Sequence, residues 1–211
     1  MLRGEQIKDF HKSHLTSNTF SLFMYPRLFK RPFDILVSLI ALIFLSPLLL
    51  ITALAIYLED GGKILFRQKR VGRGGELFEF LKFRSMALNA ANVPKAQAET
   101  IPVTRVGKII RRANIDELPQ LINILRGEMS IVGPRPAIPA QEALCRMRRN
   151  NGAIDCLPGL TGLAQVNAYD GMPEDEKARW DGEYAVNISL LTDTKVILRT
   201  FAYLTRRPPV Y

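Results

Sequence analysis

Apolar positions crowd one stretch of this chain and recur with regular spacing along much of the rest. From Ile35 to Leu58 the sequence ILVSLIALIFLSPLLLITALAIYL carries no formal charge over 24 residues, about 36 Å if helical at ~1.5 Å per residue. That length would cross a bilayer core of about 30 Å. The run is too long, and starts too far along the chain, for a cleaved signal peptide, and no small-residue cleavage site follows it. Ser46 and Pro47 stand at its midpoint. Proline removes a helical hydrogen bond there, and the serine hydroxyl can partly satisfy the freed carbonyl. A break at that point leaves two arms, each about 18 Å long and about one leaflet deep. Two readings stand at this stage, a kinked span and a re-entrant hairpin.

Beyond the apolar run, KILFRQKR and ELFEFLKFRSM lean toward strand and are joined by VGRGG, which predicts a hairpin with a glycine turn. No helix signal follows Gly72, Gly74 and Gly75, so they are not a dinucleotide fingerprint. Residues 89–104 are alanine-rich and polar with two prolines, which predicts a short helix or a loop. From Val106 the pattern turns helical. IDELPQLINILRG then places Leu118, Leu121, Ile122 and Leu125 on one stripe of a second helix that Gly127 ends. Residues 139–149 predict a basic amphipathic helix, with Ala140, Ala143, Leu144 and Met147 on one stripe and Arg146, Arg148 and Arg149 around the other side. Residues 189–205 predict another, with Leu190, Ile197, Leu198 and Phe201 against Lys195 and Arg199. Either helix packs on a core or, beside a membrane segment, lies in the interface.

Composition narrows the partners. The chain has 211 residues and a formal charge of +9, the size of one domain with a bias toward polyanions. Nucleic acid, an anionic membrane and a phosphorylated substrate all satisfy that bias. Cys145 and Cys156 have no second pair and no clustered histidines, which argues for free thiols and against a zinc or disulfide framework. Charge also bears on topology. Arg3, Lys8, Lys12, Arg27, Lys30 and Arg31 outweigh Glu5 and Asp9 before the apolar run. Lys63, Arg67, Lys69, Arg70, Arg73, Lys82 and Arg84 outweigh Glu59, Asp60, Glu76 and Glu79 after it. By the positive-inside rule neither end belongs outside. Asp34 lies three residues after Arg31, either pairing with it at helical spacing or serving as an acid at the helix start.

The candidate chemistry lies in NIDELPQL, residues 114–121. Pro119 belongs only to a first helical turn, so Asp116 and Glu117 sit at a helix N-terminus. Asn114 followed by Glu117 reads as a capping box, with Asp116 favouring the helix dipole. The same positive helix end, with Arg105, Lys108, Arg111 and Arg112 just upstream, also attracts phosphate to an ionised carboxylate. One of the two acids could then attack phosphorus while its neighbour holds a divalent metal. Downstream, SIVGPRPAIP sets Arg135 between two prolines. That suits a bidentate phosphate contact, and a solvated turn arginine is the plain alternative. The purpose of the glycine-punctuated PGLTGLAQV, residues 158–166, is not legible from composition.

KRPFD at 30–34, the Ser46-Pro47 pair, ILFRQKRVG, LKFRSM, IDELPQLINILRGEMSIVGPRP and PGLTGLAQV occur in this order and spacing. Together they resemble the bacterial polyprenyl-phosphate sugar-1-phosphate transferases, the small monotopic phosphoglycosyl transferases. The resemblance runs from about Lys30 to Thr205. It implies an α+β, mostly helical fold: a re-entrant membrane helix hairpin, a small β-hairpin, and interfacial amphipathic helices around a compact cytoplasmic catalytic domain. The expected division is a leader at 1–29, the membrane helix at 30–58 and the catalytic unit at 59–211. Larger relatives carry spanning helices and a further domain ahead of that unit, so the chain resembles the minimal form.

The implied activity is transfer of a sugar-1-phosphate from a UDP-sugar to polyprenyl, in particular undecaprenyl, phosphate. UMP would leave, and a phosphosugar would pass through Asp116. Glu117 would bind Mg²⁺. Arg135 matches the phosphate-contacting arginine, with Lys82, Arg84 and Arg112 as further phosphate-binding candidates. Arg31 and Asp34 match the residues that pin the membrane helix, and Ser46 and Pro47 its break. The implied location is the cytoplasmic face of the bacterial inner membrane, among its lipids, without nucleic acid; a homodimer is compatible. The leader, with Phe10, Phe20, Phe23, Tyr25 and Phe29, is expected along the interface or against another copy. The competing class is a non-catalytic, membrane-tethered protein that binds anionic lipid or nucleic acid. A phosphohydrolase is a weaker third, since its usual Asp-x-Asp pairing is missing.

Overall fold

The computed structural model describes residues 24–87, 102–167 and 172–204. The expectations for the leader before residue 24 and for residues 88–101 lie outside the described residues. After a wide helical turn at Tyr25–Phe29 comes helix α1, Lys30–Asp60. Strands β1 (Leu65–Val71) and β2 (Leu77–Phe83) follow, then α2 (Arg105–Arg112), a 3-10 turn (Ile115–Glu117) and α3 (Gln120–Arg126). The remainder is β3 (Ser130–Val132), α4 (Glu142–Asn150), a 3-10 turn (Ala153–Asp155), β4 (Gly159–Thr161), α5 (Leu163–Val166), α6 (Glu174–Val186) and α7 (Leu190–Leu204). The expected mostly helical α+β class is observed.

Helix α1 is unbroken, with Pro47 inside it. The expected interruption into two arms is not seen; the Ser46 hydroxyl donates to the Ile43 carbonyl at 2.8 Å, one turn before the proline. Its burial is inverted relative to a soluble core helix. Asp34, Ser38 and Thr52 are buried while Ile43, Phe44, Leu50 and Ile51 are exposed, Phe44 by 79%. An outward apolar girdle of this kind fits hydrocarbon as solvent.

Both ends of α1 are held by the same folded unit. At the start, Arg31 donates to the Ile124 and Leu125 carbonyls, at 2.5 and 3.0 Å, satisfying orphan carbonyls where α3 ends. Asp34 accepts from the Ile131 amide at 3.0 Å. Arg31 and Asp34 therefore each tie α1 to a different element, and neither of the two roles expected for Asp34 holds. Lys30 and Tyr25 reach Asp193 of α7, at 2.6 and 2.8 Å, and the Tyr184 hydroxyl of α6 lies 2.9 Å from the same carboxylate. At the other end, Glu59 accepts from the first two amides of α2, at 2.6 and 3.0 Å. Arg84 donates to Asp60 and to the Gly61 carbonyl.

The β1–β2 hairpin is antiparallel, in register from Leu65↔Phe83 to Val71↔Leu77, and its turn uses the left-handed Gly74 and Gly75. The main core joins Phe80 of β2 to Leu121 and Ile124 of α3, Met129, Ile131, Val132, Tyr184 and Val196, with Val37, Ala41 and Leu42 of α1 packed on it. A second cluster joins Ile56 to Phe83 and Ile110. Strands β3 and β4 pair in parallel, Ser130↔Gly159 and Val132↔Thr161. This gives PGLTGLAQV its structural use: a Cβ on Gly159 would sit 2.1 Å from the Gly133 amide nitrogen, so only glycine lets these backbones meet.

The two amphipathic helices form, but the first differs from its expected facing. Arg148, expected on the outer side of α4, is buried and ion-paired to Asp181, and Leu144 packs with Ala137 and Ala178. Helix α7 buries Val196 and Asp193 and leaves Leu190, Leu191, Leu198 and Phe201 exposed. Helix α6 was not anticipated, although Pro173 followed by Glu174, Asp175 and Glu176 is a recognisable helix start.

Candidate active site

Thr104 caps α2, its hydroxyl accepting from the Gly107 amide at 2.9 Å. The chain leaves α2 through Asn114, whose φ of 54° is left-handed, a conformation that asparagine tolerates better than most residues. The expected capping box does not form, since Asn114 makes no side-chain cap and the Glu117 side chain turns to two cations instead. The two acids stand on the 3-10 turn, one step before Pro119 opens α3. That tight turn sends Asp116 inward, where it is buried.

Strand alternation supplies the first cations. Arg70, Phe80 and Lys82 share one face of the hairpin, with Arg70 5.2 Å and Lys82 5.9 Å from the Phe80 ring centre. Lys82 Nζ lies 3.4 Å from Asp116 Oδ2 and donates to Glu117 Oε1 at 3.0 Å. Arg135 forks onto Glu117, with Nη2 2.6 Å from Oε1 and Nη1 3.2 Å from Oε2. Lys82, Asp116, Glu117 and Arg135, all expected site residues, thus meet in one place.

Two expected phosphate contacts are placed elsewhere. Arg84 is committed to the end of α1. Arg112 is exposed at the last turn of α2. Its neighbour Arg111, also exposed, donates to Ser85 Oγ at 2.7 Å, and its charge helps hold Asp116 ionised. Arg70 was also missed, although its two-residue alternation with Lys82 across the pair was legible.

Electrostatics separates the two acids. Burial, reinforced by the Glu117 charge, pushes the Asp116 carboxyl above the usual aspartate range, against the pull of Lys82 and Arg111. For Glu117 burial acts in the same direction, yet the Arg135 fork and Lys82 overcome it and hold the carboxyl at about 2. One acid is therefore a buried, more basic oxygen and the other a fixed anion. Such a split assigns adjacent carboxylates to different tasks. Among the described residues no group of three or more His, Cys, Asp or Glu could hold a metal ion.

Residues 25–207 match the bacterial sugar transferase family. The chain is similar to UDP-glucose:undecaprenyl-phosphate glucose-1-phosphate transferase of Caulobacter vibrioides, 42% identical over 191 residues, which cover 86% of this chain and 72% of that one. It is 37% identical over 196 residues to the exopolysaccharide production protein ExoY of Sinorhizobium fredii, covering 81% and 83%. It is 36% identical over 206 residues to undecaprenyl-phosphate galactose phosphotransferase of Salmonella typhimurium, covering 88% of this chain and 42% of that longer relative.

Proposed function

This chain belongs to the bacterial sugar transferase family and is a phosphoglycosyl transferase; from that premise we propose that it moves a sugar-1-phosphate from a UDP-sugar to undecaprenyl phosphate through Asp116. The observation that carries the reading is a buried aspartate in contact with Lys82 and within the field of Arg111, standing beside a glutamate that Arg135 grips. An Asp116 oxygen forms a bond to the β-phosphorus of the donor. The bond from that phosphorus to the bridging oxygen breaks, and UMP leaves with the electron pair. A phosphate oxygen of the polyprenol then attacks the same phosphorus, the Asp116–phosphorus bond breaks, and the carboxylate returns.

Lys82 and Arg111 keep Asp116 anionic until attack, and Arg135 is suited to grip phosphate oxygens in a fork. Mg²⁺ fits this donor set in the way it fits nucleotide enzymes, with one or two carboxylates and the substrate's own phosphates. Glu117 would hold it once Arg135 moves to phosphate, and the ion would neutralise charge on the diphosphate.

We read α1 as re-entrant in the cytoplasmic leaflet of the inner membrane, bending at Pro47 without losing its helical continuity, with the folded unit on the cytoplasmic side. The supporting observation is that Arg31, Asp34, Glu59 and Asp60 tie both ends of α1 to one folded unit. Ends held that way do not lie on opposite sides of a bilayer. The exposed Leu190, Leu191, Leu198 and Phe201 are read as an interfacial face of α7.

Mixing the purified protein with Mg²⁺, undecaprenyl phosphate and each of a panel of UDP-sugars should release UMP with one or a few donors. Without the lipid, a single burst of UMP should leave a phosphosugar on the peptide carrying Asp116. Inorganic phosphate in place of UMP would instead indicate hydrolysis. Salt-sensitive anion binding without any turnover would restore the tethered binding protein. For topology, single cysteines placed before Lys30 and after Asp60 should both resist a periplasmic thiol reagent; one labelled end restores a span.

A further inference from the structure

We propose that Arg148, held by Asp181, is a positioning residue that fixes the backbone of Arg135. The inference rests on the reading above that Arg135 grips the donor's diphosphate. It starts from the turn 134–137, where four successive carbonyls each accept a hydrogen bond from a different part of the fold. Pro134 accepts from the Gly159 amide and Ala137 from the Val71 amide, both at 2.9 Å. Between them, Arg135 accepts from Arg148 Nη1 at 2.9 Å and Pro136 from Arg70 Nη1 at 3.2 Å.

Two of these residues are prolines, which have no N–H to contribute, so the carbonyls are the turn's means of attachment. The tie on Arg135 itself comes from a side chain with a fixed aim. Arg148 Nε and Nη2 lie 2.8 and 2.7 Å from Asp181 Oδ2, which leaves Nη1 to meet the carbonyl. Both partners are buried. The Arg135 guanidinium, on the open side with Glu117, can then move to a phosphate while its Cα stays in place. A buried ion pair adds little net stability over apolar residues of the same size, so aiming a donor at the Arg135 carbonyl gives this pair a use. A shift of about 1 Å in a phosphate-gripping group can cost on the order of 100-fold in rate.

The test is a double-mutant cycle read by steady-state UMP release, with thermal unfolding measured alongside. The paired replacement Arg148→Met/Asp181→Leu removes the tie without leaving a buried charge. It should keep folding and lower kcat/KM about 10-fold or more, chiefly through the donor's KM. The same replacement in an Arg135→Ala background should cost less than about 2-fold, because a residue that acts only through Arg135 has nothing left to act on. Equal losses in both backgrounds, or no loss in the first, overturn the proposal. Should the paired replacement fail to fold, Arg148→Lys keeps the charge opposite Asp181 but loses the planar second arm, and it is scored by the same cycle. If Arg135→Ala alone leaves UMP release unchanged, the reading of Arg135 fails. If Arg135→Ala lowers the rate and the Arg148 variants do not, only the positioning role fails.

Discussion

Two arginine–carboxylate pairs stand on either side of one turn, and they differ in almost everything but chemistry. In Arg135–Glu117 the arginine side chain is 46% exposed and the glutamate 16%; in Arg148–Asp181 the figures are 7% and 1%. The first pair sits where solvent reaches it, so its attraction is partly screened and exchangeable. The second is shut away, where losing either partner strands a charge. Contact geometry alone would not tell a grip from a fixture; exposure does.

The sharpest way to break the comparison starts beside the open pair. Asp116→Asn should lower UMP release by about 10³-fold or more, as removing a nucleophile does, with the midpoint of unfolding little changed. Full activity in this variant would move the nucleophile elsewhere. Next in size, Asp181→Ala should cost about 3–5 kcal/mol of stability by leaving Arg148 buried and unpaired. Glu117→Ala should cost less than that, because the Arg135 and Lys82 it leaves behind can still reach solvent, while depressing turnover. Denaturant titration compares the two, and equal losses would erase the distinction.

A smaller effect follows from pH. Glu117 titrates at about 2 when folded, against an ordinary value of 4.5. The pair's contribution is therefore present above about 4.5 and fades as pH falls toward 2. Subtracting the acid-unfolding curve of Glu117→Gln from that of the parent should show a difference confined to that window. The smallest effect belongs to Arg67–Glu79, an ion pair at 3.1 Å with both side chains about half exposed or more. Arg67→Ala should change stability by less than about 1 kcal/mol, which sets the floor of the scale.

What could be read in advance was local. The hairpin announced itself by strand alternation and glycines, the end of α3 by Gly127, and the candidate site by an acid pair before a proline and an arginine between two prolines. The capping box at Asn114 was a fair local reading that tertiary cations overrode, because Lys82 and Arg135 offer Glu117 more than one amide can. Arg111 rather than Arg112 makes a contact beside the site, through Ser85, and which of two exposed neighbours does so is settled by a partner 26 positions away. Arg148 and Asp181 lie 33 positions apart, and Lys30 and Asp193 lie 163 apart. No periodicity reaches that far. The parallel pairing of β3 with β4 is likewise a product of assembly, signalled beforehand only by glycines whose purpose was not apparent.

The double attachment of α1 also bears on membranes of different thickness. A free spanning helix meets a thicker or thinner bilayer by tilting. A helix fastened to one body at both of its ends cannot tilt by itself. Its depth in the leaflet is set by the folded unit, so the lipids around this protein should adapt to the helix, and lipids that deform cheaply should be the ones found there.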